Sequence, residues 1–92
     1  MPLQVELVSA EARVWSGEAQ RVVARTTEGD IGVLPGHAPV LAVLAPGEVR
    51  ILTADGENVV ATLDDGFLSI EHDRVTLVSD SAALAEPGSG RS

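Results

Sequence analysis

Two prolines four residues apart, Pro35 and Pro39, stand between apolar and β-branched runs and limit what the middle of this chain can become. Each lacks a backbone N–H and fixes φ, so neither fits a helix interior or a central strand. The segment from Glu28 to Leu44 therefore reads as a shaped loop between strands, with short strands at Ile31 to Leu34 and Val40 to Leu44. Gly29 and Gly32 bracket Asp30 and Ile31. That spacing suits a tight turn with the Asp30 carboxylate at its tip, because glycine takes positive φ without steric cost. Pro35-Gly36 predicts a second reversal, of type II. Taken alone, such a loop is a connector in which Asp30 caps its own turn and the His37 side chain ties Pro35 to Pro39 by a hydrogen bond.

The flanking sequence is strand throughout. Leu3, Val5 and Leu7 alternate with Gln4, Glu6 and Val8, the period of a half-buried strand. Ala12 to Trp15 predicts a short second strand ended by Ser16-Gly17, and Ala19 to Thr26 a longer third, with Arg21 and Arg25 on one face. Glu48 to Thr53 turns at Asp55-Gly56 into Val59 to Leu63; Asp64-Asp65-Gly66 turns again into Phe67 to Glu71; Glu71-His72-Asp73 leads into Arg74 to Ser79. Aromatic residues make up only 2% of the 92, so the core has to be built from Val, Leu, Ile and Ala, with Trp15 as the one large filler. Eight to ten short strands with frequent turns predict an all-β sandwich or barrel in a single domain. Only Ser81 to Glu86 reads as the start of a helix, which Pro87 would stop.

Composition removes most chemistry. Cysteine is absent, which excludes disulfides, thiolate nucleophiles and thiolate metal sites. All six basic residues are arginine, so lysine Schiff bases, a Walker-type phosphate lysine and lipoyl or biotinyl carriers are excluded too. A net charge of −8 argues against nucleic acid and against direct binding to anionic lipid. No apolar run reaches the roughly 18 residues of a membrane-spanning helix, and the first residues lack the basic start and apolar run of a signal peptide. His37 and His72 have no ligand partners at metal spacing, Asp64-Asp65 offers too few oxygens for a cation, and Gly29, Gly32 and Gly36 match no phosphate loop. No nucleophile elbow accompanies Ser9 or Ser16, so the expectation is a binding part without cofactor, metal or catalytic residues.

The run Glu28-Gly29-Asp30-Ile31-Gly32-Val33-Leu34-Pro35-Gly36-His37-Ala38-Pro39-Val40-Leu41 closely resembles the signature of the epsilon subunit of F-type ATP synthases, the mitochondrial delta equivalent. Its glycines, prolines and histidine fall in register with the family's Glu-Gly-Glu-apolar-Gly and Pro-Gly-His-Ala-Pro elements. Val8-Ser9-Ala10-Glu11, Trp15-Ser16-Gly17, Pro46-Gly47-Glu48-Val49-Arg50-Ile51 and Asp65-Gly66-Phe67-Leu68-Ser69-Ile70 are similar to further family segments; Asp65 replaces a frequent glycine.

The resemblance implies a sandwich of two roughly five-stranded antiparallel sheets over residues 1–85. It implies a non-catalytic stalk role that links the gamma subunit to the ring of c subunits and couples proton translocation to ATP synthesis. Glu28, Gly29, Asp30, Ile31 and Gly32 match the loop that meets the c ring, with Asp30 in place of the usual, longer glutamate; Ser9 and His37 match the gamma-facing side. The subunit would sit peripherally on the cytoplasmic side of a bacterial plasma membrane, without inserting into it. In the family a helical hairpin that restrains ATP hydrolysis normally follows the sandwich. Here residues 86–92 read as a flexible tail or a cloning remnant, so the inhibitory hairpin is expected to be absent, through truncation or in a naturally short variant. The alternative is a small ligand-binding β-sandwich, which would usually expose aromatic rings for stacking; only Trp15 and Phe67 exist here.

Overall fold

Period-2 alternation of apolar and polar side chains is converted into nine strands in a computed structural model that describes residues 2–85. They are β1 (Leu3–Ser9), β2 (Arg13–Thr26), β3 (Gly29–Val33), β4 (Val40–Leu44), β5 (Gly47–Thr53), β6 (Asn58–Leu63), β7 (Gly66–Glu71), β8 (Arg74–Ser79) and β9 (Ala82–Leu84). The first half of β2 pairs with β1, which continues through β8 and β7 to β4. Its second half pairs with β3 on one side and with β5 on the other, followed by β6 and β9. The result is two five-stranded layers that share one bent strand. Every pairing is antiparallel except β1 with β8, which is parallel.

Two expected strands, Ala12 to Trp15 and Ala19 to Thr26, are one strand of 14 residues. Ser16 and Gly17 do not end it, because β1 pairs straight across them, Glu6 with Ser16 and Val5 with Gly17. The Trp15 ring lies over Gly17, where a Cβ would come 2.9 Å from Cη2, so glycine here makes room for the indole. Trp15 is itself half-buried and packs against the edge of the core. β2 changes layers at an irregularity between Ala19 and Arg21, where one extra residue shifts the alternation so that both Ala19 and Val22 face inward.

The space between the layers holds Leu3, Val5 and Leu7 of β1, Val22 and Ala24 of β2, Val49 and Ile51 of β5, Leu68 and Ile70 of β7, and Val75 and Leu77 of β8, all buried. A buried aliphatic side chain of this size contributes about 2 kcal/mol, so many small inward residues do the work that aromatic anchors do elsewhere. Gly66 closes one end. A Cβ at this position would lie 2.7 Å from the Ser79 Cα and inside the Val78 carbonyl oxygen, so β7 and β8 can approach only with glycine there. Beside it, buried Ser79 donates to the carbonyl of Ser81 at 2.8 Å and accepts from the Asp64 N–H at 3.0 Å, joining two turns.

The stretch expected to start a helix at Ser81 runs instead as β9, with Ala82, Ala83 and Leu84 opposite Leu63, Thr62 and Ala61. A few residues are too short to repay helix nucleation, whereas the open edge of β6 offers backbone partners at once. The expected stop at Pro87 and the tail 86–92 lie outside the described residues.

Candidate docking surfaces

The acidic hairpin between β2 and β3 is built differently from its sequence expectation. Its tip is Thr27-Glu28, and the turn is capped by Thr26, whose hydroxyl donates to the Gly29 carbonyl at 2.6 Å and accepts from the Glu28 N–H at 3.1 Å. Gly29 has a φ of 117°, which a side chain would resist, and this accounts for glycine at the start of β3. Asp30 neither sits at the tip nor caps the turn. It is a strand residue directly opposite Arg25, with Oδ1 3.4 Å from Nε. The expected turn between Gly29 and Gly32 fails because both residues pair with β2, Gly29 with Thr26 and Gly32 with Val23. The Thr27 N–H donates to the Val43 carbonyl at 3.0 Å and holds the hairpin against β4. Glu28, Gly29, Asp30 and Gly32 are all exposed, and Ile31 is half-buried against the core.

The proline loop forms as expected. The His37 N–H donates to the Leu34 carbonyl at 3.1 Å and Gly36 has a φ of 87°, which together define a type II turn over Pro35-Gly36. His37 Nδ1 lies 2.7 Å from the Ala38 carbonyl oxygen, so the ring ties its own loop. A feature invisible in the sequence anchors this loop from outside. His72 and Asp73 both adopt positive φ, 51° and 60°, in the tight turn between β7 and β8, and Asp73 Oδ1 accepts from the Gly36 N–H at 2.7 Å. The Asp73 carbonyl also accepts from the Gln4 N–H, bringing the start of β1 to the same corner.

Ser9 is not near His37. It ends β1, roughly 17 Å along the strand from Gln4, and its hydroxyl organises the turn into β2 by accepting from the Ala12 N–H at 3.3 Å. Through the paired residues Ser9, Ser79, Gly66, Leu44 and Thr26, Ser9 shares one end of the sandwich with the acidic hairpin. The two expected gamma contacts therefore mark opposite ends of one layer.

Close to the Ser9 end lies a surface that sequence reading missed. Register places Val8, Val78, Phe67 and Val43 side by side across β1, β8, β7 and β4 on the outward face. Phe67 is 56% exposed, Val43 49% and Val78 42%, and Leu41, two residues from Val43, reaches 76%. Each residue alone is unremarkable in a strand; only the pairing makes them a continuous apolar row. No group of three or more potential metal ligands occurs among the described residues, and the grooves, of about 330 to 420 Å³, are open and shallow. No helix in this region is long and apolar enough to cross a membrane.

Residues 2–85 match the family model described as the ATP synthase, Delta/Epsilon chain, beta-sandwich domain. The chain belongs to this family. The epsilon chain of Streptomyces avermitilis is 56% identical over 84 residues, covering 91% of this chain and 68% of that relative. The epsilon chain of Frankia casuarinae is 49% identical over 84 residues, and there the match covers 99% of the relative. Among solved structures, a chain of the Euglena gracilis mitochondrial ATP synthase OSCP/F1/c-ring assembly superposes with a TM-score of 0.85 at 22% identity; the match covers 90% of this chain and 53% of that one. The all-β sandwich expected from the sequence is thus the delta/epsilon fold.

Proposed function

We propose that this delta/epsilon sandwich is a non-catalytic clamp of the central stalk, holding the gamma subunit to the c ring on the cytoplasmic side of the membrane so that proton-driven rotation reaches the catalytic sites without slip. The observation that carries this reading is the presence of two unlike surfaces on one stiff body. The apolar row Val8, Val78, Phe67 and Val43 offers area for a stable protein contact, and the hairpin of the other layer, at the same end of the sandwich, offers carboxylates. A clamp needs exactly such a division, because rotation loads both contacts together and only a well-packed core transmits torque without yielding. In this reading gamma covers the apolar row, with Ser9 beside it and His37 at the far end of the same layer. The c-ring loops, which usually carry arginine in the family, meet Glu28 to Gly32 through charge-assisted hydrogen bonds.

The test is Asp30→Arg, added back to synthase depleted of its own epsilon chain. The expected result is an unchanged fold by circular dichroism and weakened assembly with the ring, with loss of ATP-driven proton pumping. Normal coupled pumping by this variant would refute the reading. The ligand-binding alternative gains little from the geometry: the grooves are open, Phe67 lines none of them, and Trp15, which lines one, is half-buried with its ring over Gly17.

A further inference from the structure

We infer that the partner at the hairpin recognises the Asp30 and Arg25 pair as a unit, with Arg25 both positioning the carboxylate and donating to the partner itself; this rests on the stalk reading above. The two residues face each other directly across β2 and β3, and both side chains are more than half exposed, 59% for Arg25 and 62% for Asp30. Exposed ion pairs of this kind add little to stability, so stability does not account for the arrangement. Asp30 engages only Nε, at 3.4 Å, which leaves both terminal guanidinium nitrogens as donors beside the carboxylate.

Arg25 is also held in place. Its stem lies on Gly47, where a Cβ would come 3.2 Å from Cδ, and its carbonyl accepts from the Ala45 N–H at 3.0 Å. The motif continues across the outward face of the same layer, where Arg50 Nη2 lies 3.4 Å from Glu48 Oε1 beside a depression of about 420 Å³. In a chain of net charge −8, this face alternates carboxylate and guanidinium. A loop that brought only a cation to Asp30 would meet the Arg25 guanidinium and be repelled. A loop that presents a cation beside an oxygen acceptor, whether carboxylate, side-chain amide or backbone carbonyl, satisfies both groups at once. The occupant is therefore a mixed-polarity ring loop, and the shorter aspartate works because Arg25 fixes where it points.

The experiment has a sign. If a lone carboxylate bound a cationic loop, Arg25→Ala would remove a competing positive charge and binding to the ring would stay equal or tighten. If the pair is read, Arg25→Ala loosens binding about tenfold, the loss expected for a charge-assisted donor, and Arg25→Lys restores only part of it because lysine lacks the fork. Affinity is measured by titrating the full chain into epsilon-depleted synthase, with the thermal midpoint of each variant as a control for folding. Equal or tighter binding by Arg25→Ala, with wild-type binding intact, overturns this inference and leaves the stalk reading standing. No binding by the wild-type chain overturns the stalk reading and this inference with it.

Discussion

The two outward faces of the sandwich are made from the same alternating strands over the same kind of aliphatic core, yet they carry opposite chemistry. Across β1, β8, β7 and β4 the outward positions give an apolar row, Val8, Val78, Phe67 and Val43. Across β3, β2 and β5 they give Asp30, Arg25, Glu48 and Arg50, paired in twos at 3.4 Å. Inward residues are restricted by volume and are apolar on both layers, apart from Thr53 and Ser79, whose hydroxyls are hydrogen-bonded. Outward residues are free of that restriction, so their difference reflects what each face meets. An apolar face suits a contact that stays closed, whereas a charged face suits one read by geometry and sensitive to salt.

The comparison breaks most completely where the faces share a support. Gly66→Ala forces a methyl into the backbone of β8 and should destabilise the domain by about 3 kcal/mol or more, seen in urea unfolding, and both docking activities should fall together. Survival of either activity in an unfolded or loosened variant would mean that the faces do not depend on one scaffold.

A smaller change should separate the faces. Phe67→Ser removes the centre of the apolar row from a residue that is 56% exposed, so stability should shift by less than about 1 kcal/mol. Binding to gamma should weaken about tenfold or more, as for a central aromatic at an interface, while contact with the c ring is unchanged. Chromatography of the variant with gamma alone, and then with the ring, reads the two effects independently.

The most local effect concerns the end of the apolar layer. Asp73→Ala deletes the acceptor for the Gly36 N–H and puts alanine at a φ of 60°, which should cost about 1 to 2 kcal/mol. Amide exchange should rise at Gly36 and His37 first. Asp73→Asn, which tolerates positive φ and keeps a side-chain oxygen, should lose less.

Much of this was legible in the residues themselves. Most strand positions, the type II turn at Pro35-Gly36 and the hairpin turns at Asp55-Gly56 and His72-Asp73 depend on local sterics, and they stand where the residues imply. The same local logic went astray wherever a neighbouring strand decided the outcome. Ser16-Gly17 looked like an end but is held extended by β1; Asp30 looked like a turn tip but is a paired strand residue; Ala82 to Leu84 looked helical but completes the edge of β6.

By itself the sequence determined the period of alternation, the turns that glycine and proline permit, and an aliphatic interior, because each follows from the chemistry of a few adjacent residues. Tertiary structure alone decided that Val8, Val78, Phe67 and Val43 form one surface, that Arg25 stands beside Asp30 and Gly47, and that Asp73 anchors Gly36. These contacts join residues up to 70 positions apart, and alternation fixes which side of a strand a residue takes but not which strand lies beside it.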